Sequence, residues 1–119
     1  PADPSDENNL LDLKDKVISQ NLDFGVAFDG DADRSVFIDD KGNLISGSLM
    51  TCLISDWLFE KKSEIKVVHN VNVQPSVVKY LNNKGIKTIR SKVGHSYIKN
   101  IMRDKDADFG GEHSAHFYL

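Results

Sequence analysis

Between residues 65 and 109 the chain alternates between two periodicities, and that alternation constrains its fold more than any other feature. Residues 65–71 form a short apolar run with the signature of a strand. Pro75 then opens a stretch in which Val77, Val78 and Leu81 recur at helical spacing, and Gly85 closes it. A second strand is expected over 86–89. After it comes a helix over 95–103 that turns Ile98, Ile101 and Met102 inward, then a third strand over 107–109. Strand, helix, strand, helix, strand at this spacing calls for βαβ units, a parallel sheet with helices packed on it. The chain is thereby placed in the α/β class, where ligands gather at the carboxyl ends of the strands.

The residues before this rhythm are organised differently. Residues 1–9 are polar and turn-rich and are expected to lead, as a loop, into a helix carrying Leu10, Leu13 and Val17, with Leu11 and Ile18 broadening its face. Residues 21–23 end that helix, and 24–28 follow as a nearly all-apolar strand of the kind buried on both faces. A second strand spans 35–38. Residues 39–43 make a hairpin turn, and Leu44 and Ile45 begin the return strand. A domain boundary is expected near 45–48, dividing the chain into 1–46 and 47–119. From Leu49 onward, Leu49, Met50, Leu53, Ile54, Trp57 and Leu58 describe a helix with one wide apolar stripe.

Composition narrows the function classes. The 119 residues, 39% hydrophobic and 28% charged, suit one domain or two partial ones of ordinary globular character. A net charge of −3 gives no global attraction to nucleic acid or anionic membranes. No apolar run approaches the roughly 20 residues of a membrane span, and no signal-type segment is expected at the start. The sole cysteine, Cys52, excludes an intrachain disulfide and any cysteine-based metal cluster. It lies in an apolar periodic stretch and is expected to pack. A reducing, cytoplasmic setting agrees with this cysteine usage.

Two polar loops interrupt the pattern where chemistry is expected. Asp29, Asp31 and Asp33 alternate through a tight turn after an apolar strand, with Gly30 between the first two. Two like charges ~4 Å apart repel by about 1 kcal/mol in water and about 4 at a near-surface dielectric. A divalent cation relieves that repulsion, and all-oxygen ligation suits magnesium, manganese or calcium. The alternatives are a solvated acidic turn and a helix-loop-helix calcium site. The calcium pattern fails because Arg34 stands where glycine is required and Asp40 where glutamate is required. Arg34 either restrains the acidic loop as an internal ion pair or offers a planar fork to a phosphate beside the metal.

The second loop, 110–116, follows the third strand and contains Glu112, His113, Ser114 and His116. Glu112 and Ser114 can accept from and donate to vicinal hydroxyls, although a polar surface turn would look the same. Between the loops, Gly94 and His95 stand at a helix start, where unpaired N–H groups and the dipole favour an anion. His95 there is either structural or a proton carrier, since an imidazole titrates near pH ~6.5. His69 and His113 carry no comparable signal.

The run from Phe28 to Arg34 resembles the metal-binding loop of the α-D-phosphohexomutases, the phosphomannomutase and phosphoglucomutase superfamily. Residues 110–116 are similar to the sugar-recognition loop of the same enzymes, and 92–99 to a segment bearing an active-site histidine. The resemblance implies a three-layer α/β/α sandwich with a mixed, largely parallel sheet, preceded by a partial domain. In these terms 1–46 would be the end of the second family domain and 47–119 most of the third. It further implies Mg²⁺ on Asp29, Asp31 and Asp33, catalytic roles for Arg34, His95 and His116, and sugar hydroxyls held by Glu112, Ser114 and His116. Ala115 matches the form common in phosphomannomutases. Asn72 departs from the pattern, standing where many of them carry a basic residue.

The implied reaction interconverts hexose 1-phosphate and hexose 6-phosphate through a phosphoserine and a 1,6-bisphosphate. The serine loop and the phosphate-binding domain of such an enzyme are not found in these residues, so the segment alone is expected to be inactive. A magnesium-dependent sugar phosphatase and a non-catalytic metal- or sugar-binding module remain the alternatives. The expected ligands are phosphorylated hexoses, with no nucleic acid and no membrane among the partners.

Overall fold

The structure, a computed structural model, describes residues 7–29 and 34–119. The chain divides into two compact units, Pro1–Ser46 and Gly47–Leu119. In the first, a 3-10 turn (Glu7–Leu10) runs into α1 (Leu11–Ser19), followed by β1 (Gly25–Phe28), β2 (Ser35–Ile38) and β3 (Leu44–Ile45). The three strands form an antiparallel sheet in the order β1-β2-β3. The 3-10 turn buries Leu10 and α1 buries Val17, but Leu11 and Ile18, expected to widen the helix face, are exposed.

The helix stops for a reason legible in the chain. Asn21 takes a left-handed conformation (φ 51). Its N–H donates to the Ile18 carbonyl, and the Leu22 N–H donates to the Val17 carbonyl. That pair of bonds satisfies two carbonyls left over at a helix end. α1 then lies directly on the β1 backbone, since a Cβ at Gly25 would come within 2.9 Å of the Leu13 and Val17 side chains.

β1 corrects the expectation of a strand buried on both faces. Phe24 and Phe28 are exposed, and among the described residues β1 pairs with β2 alone. An edge strand covered by one helix has an apolar composition without a second layer to bury it. The hairpin turn forms as expected: the Asp39 carboxylate accepts from the Lys41 and Asn43 N–H groups, which holds it below its ordinary acidity range.

The second unit contains α2 (Gly47–Lys62), β4 (Lys66–Asn70), α3 (Pro75–Asn83), β5 (Lys87–Ser91), α4 (His95–Lys105), β6 (Phe109–Gly111) and β7 (Phe117–Tyr118). Its sheet has the order β5-β4-β6-β7. β4 pairs in parallel with β5 and β6, and β7 closes the edge antiparallel to β6. The sheet is thus mixed and largely parallel, with helices on both faces. Adjacent residues of β6 show this, because alternate strand residues face opposite ways. A Cβ on Gly110 would meet Ile98 and Met102 of α4, whereas one on Gly111 would strike Thr51 of α2.

α3 shows the sequence signals acting as expected. Pro75 occupies its first turn, and Gly85 (φ 94) ends it. The Gly85 N–H donates to Asn82 and the Ile86 N–H to Leu81. This cap brings Ile86 onto Leu81, and both join Ile65, Val67 and Phe109 in the core. Each fully buried side chain of this size contributes about 1.5–3 kcal/mol before entropy is counted.

Three expectations need correction here. α2 begins at Gly47 and packs only part of the stripe read from the sequence: Ile54 and Leu58 lie against the core, but Leu49, Leu53 and Trp57 are 45%, 47% and 58% exposed. The helix instead buries Gly47, Ser48, Thr51 and Ser55. Small residues let it approach the β6 backbone at Gly111. The Thr51 and Ser55 hydroxyls bond the carbonyls of Gly47 and Thr51 within the helix, so no polar group is stranded. β6 is displaced to 109–111, which takes Gly110 and Gly111 out of the expected loop and into the sheet. β7 was not expected at all.

Cys52 is half-buried and packs against the core, and burial, aided by Asp56, pushes its thiol up. No helix among the described residues is long and apolar enough to cross a membrane.

Candidate functional site at the carboxyl end of the sheet

β4 and β6 are parallel neighbours, and their carboxyl ends carry Asn70 and the turn that begins at Glu112. The turn is closed by its own backbone: Glu112 N–H donates to the His116 carbonyl, and Ala115 N–H donates to the Glu112 carbonyl. Ala115 is held at φ 71, a conformation that costs an alanine more than a glycine. From below, α2 presses against this turn. A Cβ on Gly47 would collide with the carbonyls of Glu112 and His113. Ser48 Oγ accepts from the Gln74 N–H at 3.1 Å and lies 2.7 Å from His113 Nδ1, tying the turn to the start of α3.

Glu112 lies under the turn. Its side chain is buried, with the residue 3% exposed. Oε1 accepts from the Tyr118 hydroxyl at 2.9 Å, and Oε2 accepts from Asn70 Nδ2 at 3.2 Å and from the Gly94 N–H at 3.5 Å. The positive end of α4 therefore meets an anion from within the protein, the Glu112 carboxylate. A buried carboxylate is tolerated only when donors surround it, and these three come from three different elements. Asn70 is oriented by this contact. Turning its amide over would set Oδ1 against the carboxylate, so Oδ1 stays buried with no hydrogen-bond partner.

Above Glu112, Ser114 Oγ lies 2.8 Å from His116 Nδ1, and that same nitrogen is 4.0 Å from Glu112 Oε1. Serine and carboxylate share one ring nitrogen. The arrangement is therefore not a hydrolase triad, where hydroxyl and carboxylate engage opposite nitrogens. What it offers is an exposed hydroxyl and an imidazole side by side on a rigid turn, suited to a polyhydroxylated ligand. His95 begins α4, but its side chain lies outside the described residues.

In the first unit, Arg34 Nε donates to Asp29 Oδ2 at 3.0 Å, an ion pair holding the two ends of the carboxylate loop together. Asp31 and Asp33 lie outside the described residues, and no group of three metal-ligating side chains occurs among the described ones. The donor chemistry nonetheless fits magnesium: three carboxylates at alternate positions offer hard oxygens and no nitrogen or sulfur.

The sequence did not point to Asn70, Tyr118 or Ser48. Asn70 ends a strand that also carries Lys66 and His69, so its polarity does not stand out, and Tyr118 falls in a strand too short to announce itself. The contacts of Asn70 and Ser48 span 42 and 65 positions.

The second unit is thus an α/β/α domain with a polar turn at its strand ends, and the first carries the Asp29–Arg34 ion pair on either side of residues 30–33. Comparison with known proteins makes the assignment definite. The family model described as "Phosphoglucomutase/phosphomannomutase, alpha/beta/alpha domain III" matches residues 46–119, and the one for domain II matches 1–42. The chain belongs to the phosphoglucomutase/phosphomannomutase family.

It is 36% identical to the phosphomannomutase of Methanocaldococcus jannaschii, across 100% of this chain and 27% of that protein. It is 39% identical to the phosphoglucosamine mutase of Nautilia profundicola, across 87% of this chain and 24% of that one. A crystal structure of a family protein from Burkholderia thailandensis superposes with a TM-score of 0.92 at 26% identity, covering 98% of this chain and 26% of that one. The chain spans about a quarter of the length of the curated relatives it matches.

Proposed function

We propose that this chain is the metal- and sugar-binding portion of a phosphohexomutase. The reaction interconverts hexose 1-phosphate and hexose 6-phosphate through a phosphoserine and a 1,6-bisphosphate. The observation that carries this reading is the Ser114–His116 pair on a turn anchored from beneath by Glu112, at the carboxyl end of a parallel sheet. Family membership supports the reaction class. The names of the relatives span mannose and glucosamine substrates, and Ala115 leans the reading toward mannose.

Asp29, Asp31 and Asp33 would hold Mg²⁺, which when bound supplies positive charge to offset that of a phosphate. Arg34, pinned to Asp29, would lay its guanidinium against the phosphoryl oxygens as charge shifts during transfer. Ser114 and His116 would orient the sugar through its hydroxyls, with Glu112 setting the shape of the turn from below. As the P–O bond to the serine breaks and one to the sugar forms, the hydroxyl proton would pass to an imidazole, His95 or His116.

The serine itself comes from outside these residues, so the chain alone does not turn over. A cytoplasmic setting belongs to the same reading.

The test is an assay of the full-length polypeptide carrying this segment, with magnesium and a trace of hexose 1,6-bisphosphate. Mannose 1-phosphate should be converted to its 6-phosphate, and Asp29→Asn should abolish conversion. Release of free phosphate without the 6-phosphate would overturn the mutase reading in favour of a phosphatase.

A further inference from the structure

On the other face of the sheet from Asn70 and Glu112, a cavity of about 590 Å³ opens between α3 and the β5 edge. His69 reaches it from β4, Thr88 and Arg90 from β5, and Lys79 and Asn82 from α3, over an apolar wall that includes Val78. A volume of this order is typical of small-molecule sites. Among the described residues no carboxylate lines it.

Six of the eleven lysines and arginines of this unit are engaged. Lys62 and Lys84 pair with Asp108 and Asp56, Lys66 donates to the Lys105 carbonyl, and Lys61, Lys92 and Lys99 lie over aromatic rings. The side chains of Arg90 and Lys79, like those of Lys87, Arg103 and Lys105, make no hydrogen bond or ion pair among the described residues, and of these five only Arg90 and Lys79 line the groove. Two like charges facing one concavity repel, and an anion between them removes that cost. Arginine and lysine together are the usual equipment for a phosphate.

The histidine adds a second requirement. His69 Nδ1 lies 3.0 Å from the Asn70 carbonyl, which can only accept, so that nitrogen carries the proton. Burial holds the ring below its ordinary titration range against the opposing bond to Asn70, and Arg90 lowers it further. The ring is therefore neutral near pH 7, which leaves Nε2 as an acceptor.

We infer that this groove binds a small phosphomonoester carrying a hydroxyl: the phosphate between Arg90 and Lys79, the hydroxyl donating to His69 Nε2. It shares no residue with the Glu112 turn and stands whether or not the mutase reading does.

The test is an amide NMR titration of the 119-residue chain with glycerol 3-phosphate, ethyl phosphate and inorganic phosphate. Glycerol 3-phosphate should shift the amides of Val73, Lys79, Thr88 and Arg90 saturably and bind tighter than ethyl phosphate, which lacks the hydroxyl. The double variant Lys79→Gln/Arg90→Gln, with both changes on exposed side chains, should weaken binding at least about tenfold. Three results would overturn the site: no saturable shift, shifts that survive the double variant, or shifts centred on Gly94 and the Glu112 turn. Equal affinity for glycerol 3-phosphate and ethyl phosphate would overturn the ligand class assigned to it.

Discussion

The two faces of the four-stranded sheet handle polar groups in opposite ways. On the α4 face, the Glu112 carboxylate is buried and enclosed by donors from Asn70, Tyr118 and Gly94. On the α3 face, Arg90 and Lys79 line a concavity with no internal partner among the described residues. The first arrangement is spent on shape, because a carboxylate so enclosed fixes the turn above it and exposes almost nothing of itself. The second leaves charge available to a ligand. Polar residues that hold a site together and polar residues that await a ligand are thus separated by one sheet.

The largest expected effect falls on the sheet both faces share. Phe109, fully buried and stacked on Phe117 at 6.2 Å, supports the core beneath the groove. Phe109→Ala should destabilise the chain by about 3–5 kcal/mol in urea unfolding. A loss below about 1 kcal/mol would show that the core does not hold the faces apart.

On the enclosed face, Glu112→Ala strands the Asn70 amide and the Tyr118 hydroxyl and should cost about 1–3 kcal/mol. The same variant should shift the amides of residues 112–116 and leave Thr88 and Arg90 unmoved. Movement on both sides would break the comparison. Gly111→Ala, which pushes a methyl group into Thr51, should cost a similar or smaller amount, about 1–3 kcal/mol, by overpacking.

A pH series sharpens the contrast. His69 titrates lower in the folded chain than unfolded, mainly through burial. The unfolded state therefore binds more protons once pH falls below the ordinary histidine value near 6.5. The His69 contribution is fully present above that value and is lost as pH falls from there toward the folded titration point. Unfolding at pH 7.5 and 5.5 should show the loss, and His69→Gln should reduce it; an unchanged slope would mean the ring is not held neutral.

Smallest of all, Lys79→Gln/Arg90→Gln should alter stability by no more than about 0.5 kcal/mol. A larger loss would mean these cations are structural after all.

α3 and α2 show how far the sequence could be read. For α3, Pro75, the Val77–Leu81 face and Gly85 decided start, orientation and end, because capping and backbone conformation are local. The alternation of strands and helices likewise determined the α/β class and the parallel pairing. For α2 the same method found only part of the buried face. Of its apolar stripe only Ile54 and Leu58 pack on the core while Leu49, Leu53 and Trp57 are exposed, and its fully buried line is glycine, serine and threonine, because the helix meets a glycine backbone that only small residues can approach. Where the sequence marked Glu112, Ser114 and His116 as site residues, the structure separated them into one buried anchor and two groups on the turn.

Residue type and spacing by themselves determined the class, the strand rhythm and the turn that follows the third parallel strand. Only the tertiary structure decided that Asn70 and Tyr118 hold Glu112, that Ser48 braces His113, and that His69 and Arg90 share a groove. Those contacts bring together residues from different elements, and burial, which sets their cost and value, belongs to the packed chain and to no local segment of it.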